Sequence, residues 1–129
     1  MSKKYLIIST PTELVRFEPE KIVYILADGN YSEFYQADNQ KNMLVLQLGK
    51  VEEEIDTQLG VDARLFVRIG KSYIINRNYI YHIKVQKKEL VLSDMATFSY
   101  TLSPSKEALR HLKEHIDNID KEEYHGKEL

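Results

Sequence analysis

Seven cations and no carboxylate occupy the stretch from Arg64 to Lys88: Arg64, Arg68, Lys71, Arg77, Lys84, Lys87 and Lys88. The flanking chain is acidic. Residues 1–63 carry six basic and eleven acidic side chains, and residues 89–129 carry five and nine, so a block of +7 sits inside a protein of net charge -2. Phosphate contacts are local, and a basic block therefore points to nucleic acid more specifically than an overall isoelectric point does. Chance clustering on a solvated face gives the same composition, and composition alone does not separate the two.

Other groups that could do chemistry are sparse. His111 and His115 are spaced i, i+4, which can hold zinc, but the His-Glu-x-x-His order is missing and no third ligand is evident. They read as surface histidines, and no metal or cofactor is expected. The chain has no cysteine, which excludes a disulfide framework and a thiol nucleophile and suits a reducing compartment. With no glycine-rich phosphate loop, nucleophile elbow or Ser/His/Asp set visible, the chain is not expected to be an enzyme. The apolar run Tyr5 to Ile8 is too short for a signal peptide, and no run approaches the ~20 residues of a membrane span. A cytoplasmic protein without membrane contact is expected.

The elements that would position the basic block are mostly short strands. Tyr5 to Ile8 and Ile22 to Leu26 are β-branched and aromatic runs. Asp28-Gly29-Asn30 is a turn signal. Tyr31 to Ala37 alternates after it, with Tyr31, Glu33 and Tyr35 on one face and Ser32, Phe34 and Gln36 on the other, and a polar tip leads back through Met43 to Leu46. In Lys50 to Leu59 the period changes: Val51, Ile55 and Leu59 form one helical stripe, Glu52, Glu53 and Glu54 are read into the first turn, and Gly60 ends it. Leu65 to Ile69, Tyr73 to Ile75, Ile80 to Val85, Leu90 to Leu92 and Thr97 to Leu102 read as strands. Ser103-Pro104 reads as the cap and first position of a last helix, with Leu109, Leu112, Ile116 and Ile119 as its stripe. Strands do not alternate with helices, so a mainly β architecture is expected. The domain is read as residues 1–120, with a polar, frayed tail over 121–129.

The run Phe66-Val67-Arg68-Ile69-Gly70-Lys71-Ser72-Tyr73-Ile74-Ile75-Asn76 resembles the signature of the LytTR family, Phe-x-Arg-x-x-(Arg/Lys)-Ser-Tyr-(Ile/Val)-(Ile/Val)-Asn after a short helix. Upstream, Glu20 to Ile25 and Gly29-Asn30-Tyr31-Ser32 match another family pattern, and Leu102-Ser103 matches the start of its last helix. The resemblance spans residues 11 to 116. Leu26, Gly70 and Pro104 depart from it, standing where Glu, His and Arg are frequent. The chain resembles a stand-alone member with no receiver domain.

The resemblance implies a mainly β fold, an elongated arrangement of small antiparallel sheets with two short helices. It also implies a sequence-specific, DNA-binding transcriptional regulator that places loops, rather than a recognition helix, in successive major grooves of bent DNA. The implied partner is double-stranded DNA carrying paired short repeats, bound by a monomer or weak dimer. Candidate DNA-contact residues are Asn30, Tyr31 and Ser32 in one loop, Arg68, Lys71 and Ser72 in a second, Ser103 and Ser105 in a third, and Arg77 as a phosphate contact. Lys84, Lys87 and Lys88 are lesser phosphate candidates. Arg68 has a second reading, a pair with an acidic neighbour that holds its loop; Ser103 has one as a helix cap; Asn76 reads as structural. The alternative function is a LytTR-like interaction module that docks a partner regulator and has lost DNA binding. It gains if Glu52 to Glu54 share the face of the three loops.

Overall fold

The computed structural model describes residues 4–128, with side chains described through residue 118. The strands are β1 (Leu6–Ser9), β2 (Leu14–Phe17), β3 (Ile22–Asp28), β4 (Tyr31–Gln36), β5 (Lys41–Leu44), β6 (Phe66–Ile69), β7 (Tyr73–Asn76), β8 (Ile80–Lys84), β9 (Glu89–Ser93) and β10 (Ser99–Leu102); the helices are α1 (Leu48–Leu59) and α2 (Lys106–Glu128). They form a five-stranded sheet of order β5-β4-β3-β7-β6, a three-stranded sheet of order β10-β9-β8, and the β1-β2 hairpin. Every pairing is antiparallel, and the architecture is mainly β, as expected.

Strand β3 lies at the centre of the large sheet, which explains its unbroken apolar run: both of its faces are covered. Ile22 and Ile25 join Phe34, Leu44 and Ile74 on one face, against Leu6, Ile8 and Phe17 of the hairpin and Val51, Ile55 and Leu59 of α1. Val23, Tyr24, Ile69 and Ile75 face the other way, against Leu90, Leu92, Phe98, Leu102 and the α2 residues Leu109 and Leu112. Each such burial contributes about 1.5–3 kcal/mol before chain entropy is counted. Between the two larger sheets, Tyr24 stacks on Tyr35 at 4.3 Å and meets the edge of Tyr100 at 5.4 Å. Desolvation raises the hydroxyl pKa of all three, as befits core tyrosines rather than base-stacking platforms.

Several boundaries differ from expectation, each for a local reason. Helix α1 begins at Leu48 behind Gln47, so Glu52, Glu53 and Glu54 lie beyond its first turn, and the helix-dipole argument for them lapses. The apolar stripe of α1 and its stop at Gly60, φ +57°, stand as read. Strand β2 has no expected counterpart. The last strand starts at Ser99 rather than Thr97 because the Asp94 carboxylate accepts the N–H groups of Ala96, Thr97 and Phe98 and holds them in a loop. Helix α2 starts at Lys106, and Ser105 Oγ, not Ser103, accepts a backbone N–H there, that of Ala108 at 3.1 Å. Helix α2, 23 residues long where a short helix was expected, continues through 121–128, the stretch read as a polar tail; the side chains there and that of Ile119 lie outside the described residues. Among the described residues no helix is long and apolar enough to cross a membrane.

Candidate nucleic-acid interface

Two of the three expected loops come together because of strand register. Strand β3 pairs with β4 up to Asp28 opposite Tyr31, so Gly29-Asn30 forms a two-residue turn with Gly29 at φ +62°. Strand β3 also pairs with β7, Leu26 opposite Tyr73, and this places the Gly70-Lys71-Ser72 turn, which leads into β7, at the same end of the sheet. The Ala27 N–H donates to the Ser72 carbonyl at 2.8 Å and ties the two turns. Asn30, Tyr31, Lys71 and Ser72 are exposed at this end.

The β6-β7 turn is held from within. Gly70 adopts φ +60°, the left-handed region where a side chain is strained. Alternation along β6 puts Arg68 opposite Ile74, on the face covered by α1. There its guanidinium donates through Nε to the Gly70 carbonyl at 3.2 Å, through one terminal nitrogen to the Lys71 carbonyl at 3.1 Å, and through the other to Glu52 Oε1 at 3.0 Å. The planar five-donor fork of arginine suits this three-way task. The second reading of Arg68 is thus the one its contacts match.

Three other candidates need correction. Ser32 is fully buried, and its hydroxyl donates to the Leu46 carbonyl at 2.6 Å; it fastens the start of β4 to the segment entering α1 and is not at the surface. Arg77 follows the last residue of β7 while Lys71 lies two residues before its first, so the two lie at opposite ends of that strand. Ser103 is exposed but caps no helix. Asn76 is structural as expected: its buried amide donates to the Ile22 carbonyl at 2.9 Å and accepts the Asn78 N–H.

The third loop relates to the second through α2. A cleft of about 360 Å³ is lined by Val67, Arg68, Ile69 and Gly70 on one side and by Ala108, His111, Leu112 and His115 on the other. Ser105 caps the helix that forms this second wall. Lys84 pairs with Glu89 at 3.4 Å in the three-stranded sheet, and the turn bearing Lys87 and Lys88 belongs to that sheet as well. Of the acidic trio on α1, Glu53 pairs with Lys50 and Glu54 accepts from Gln58, so Glu52 is the one turned to the β6-β7 loop. Sequence reasoning missed its role. The signal was its i+1 position beside the buried Val51, which places it at the edge of the packed face. Among the described residues no group of three metal-ligating side chains occurs.

The large sheet thus presents two joined turns at one end, with Lys71 exposed on one of them, and defines a mainly β domain of antiparallel sheets. The family model of the LytTr DNA-binding domain matches residues 12–117. The chain belongs to that family, and by membership it is a DNA-binding domain. A solved structure, the LytTr DNA-binding domain of a response regulator from Bacillus cereus, shares the fold with a TM-score of 0.57 at 18% identity, covering 88% of this chain and 96% of that one. Comparison with curated proteins gave no match.

Proposed function

We propose that this DNA-binding domain is a sequence-specific transcriptional regulator that reads duplex DNA with its loops. The observation that carries this reading is the shared end of the large sheet, where Asn30, Tyr31, Lys71 and Ser72 are exposed on two turns joined through Ala27 and Ser72. Lys71 donates to a guanine edge or phosphate; the exposed amide and hydroxyls supply further polar contacts. Ser103 and Ser105, at the entry to α2, form the third contact segment. Arg77, displaced along β7, serves at most an outlying phosphate.

A single module of this size buries about 600–1,000 Å² on DNA and offers limited discrimination. The chain therefore acts as a monomer or weak dimer that pairs on adjacent short repeats, and affinity per protomer rises on two correctly spaced half-sites. Selection of genomic fragments with the purified protein tests the function: a recovered consensus of paired repeats is expected, and recovery of no fragment at low salt contradicts it. The rival reading, docking on a partner regulator, draws on the nearness of Glu52 to the loop face. Its carboxylate is engaged by Arg68 at 3.0 Å, which lessens the acidic character of that face.

A further inference from the structure

We infer that Glu52 and Arg68 act as a positioning pair for base readout, and that neither is itself a DNA contact. This inference rests on the proposed reading of the β6-β7 turn as a readout loop. A turn that is to present Lys71 to a base edge must hold its backbone within a fraction of an ångström, because contacts made 1 Å out of place lose most of their value. Gly70 leaves the turn with little rigidity of its own: its φ is +60°, and no heavy atom lies within 4 Å of where a Cβ would stand. No neighbour packs against it to fix the conformation, so rigidity comes from hydrogen bonds.

Arg68 supplies them. It reaches forward to the carbonyls of both Gly70 and Lys71, the two residues whose peptide planes set the direction of the Lys71 side chain. A guanidinium making two carbonyl bonds still needs its own orientation fixed, and Glu52 fixes it from α1, a separate element. The side chains are 28% and 44% exposed, so an isolated pair here would be screened and worth little. What gives this one consequence is that a single rigid fork joins a helix to two carbonyls of one turn. An arginine used in this way has its donors directed inward and is not presented to phosphate.

The proposal makes a counter-intuitive prediction about charge. Removing an acidic residue beside a DNA-binding loop ordinarily strengthens binding by relieving repulsion. Here Glu52→Gln is expected to weaken it. The test measures Glu52→Gln, Arg68→Gln and Arg68→Lys against the parent in two ways. Without DNA, amide hydrogen exchange at Gly70 to Tyr73 is expected to accelerate in all three variants while that of buried β3 is unchanged. On a duplex chosen by selection, affinity is expected to fall about three- to tenfold, the scale of one ordinary hydrogen bond, with little change on unrelated duplex and no change in salt slope. Lysine keeps the charge but cannot span three acceptors, so Arg68→Lys is expected to resemble Arg68→Gln. Tighter binding by Glu52→Gln, or an Arg68→Gln slope shallower by about 0.9 with binding kept by Arg68→Lys, would make Arg68 a phosphate contact and overturn the pair. Unchanged exchange at the turn would overturn it without reference to DNA. If exchange responds as expected but the parent binds no duplex, the loop-readout function fails, and the positioning role falls with it.

Discussion

The backbone N–H of Ala27 donates to the carbonyl of Ser72 at 2.8 Å, just beyond the last paired residues of β3 and β7. This bond makes one surface of two loops that are more than forty residues apart in the chain. The relative placement of Asn30, Tyr31, Lys71 and Ser72 depends on the geometry around it.

Gly70→Ala tests whether the β6-β7 turn needs its left-handed conformation. Space around the position is open, so the cost is backbone strain alone, about 1 kcal/mol. The variant is expected to fold with a slightly lowered melting temperature and to lose DNA affinity beyond what that loss explains. Gly70→Asn is expected to be milder, since Asn tolerates positive φ.

Ser32→Ala separates a structural serine from a contact serine. Its hydroxyl is buried on the Leu46 carbonyl, so removal leaves that acceptor without the bond and is expected to cost about 1–3 kcal/mol in denaturant unfolding. The salt slope of DNA binding is expected to stay as in the parent.

Much of this was legible in the chain, and the failures have a common cause. Periodicity located Val51, Ile55 and Leu59 on one helical stripe and placed Ser32 and Phe34 on one face of β4, because local alternation reports which side chains point together. It could not report which face would be covered. Ser32 shares its face with Phe34, and that face packs on the hairpin and α1, so the serine is buried with it. The same gap hid Glu52: alternation along β6 gives the direction of Arg68, but only the packing of α1 on that face supplies its carboxylate. Arg77 and Lys71 share one basic block in sequence, yet the four-residue strand β7 separates them to its two ends.

Ile74→Ala probes the core beneath the turn. Ile74 is 1% exposed and packs with Ile25 and Phe34; truncation is expected to cost about 2–5 kcal/mol. Thermal unfolding should show this plainly. A negligible change would mean that the packing on the α1 face is misassigned.

Asp94 gives a prediction about acid. The hydroxyl of Thr97, then the N–H groups of Ala96, Phe98 and Thr97, hold its carboxyl well below the usual carboxylate range. A lowered folded-state pKa means that the stabilisation is present above the unfolded-state value, about 3.9, and is lost as pH falls toward the folded value. Asp94→Asn is therefore expected to lower stability near neutrality and to flatten the acid limb of the stability curve below about pH 4. Unfolding midpoints at several pH values would read this; parallel curves for parent and variant would exclude it.

The central claim is that Lys71, on the turn tied to β3, reads sequence in duplex DNA. The most direct measurement is a salt titration of parent and Lys71→Ala on a selected duplex and on an unrelated one. For the parent, log affinity is expected to fall linearly with log salt, with a slope between about -3 and -5 from three to six phosphate contacts. Lys71→Ala should lose about 1–3 kcal/mol on the selected duplex and much less on the unrelated one, while melting as the parent does. A flat titration, or a Lys71→Ala protein that binds both duplexes as the parent does, would contradict the account.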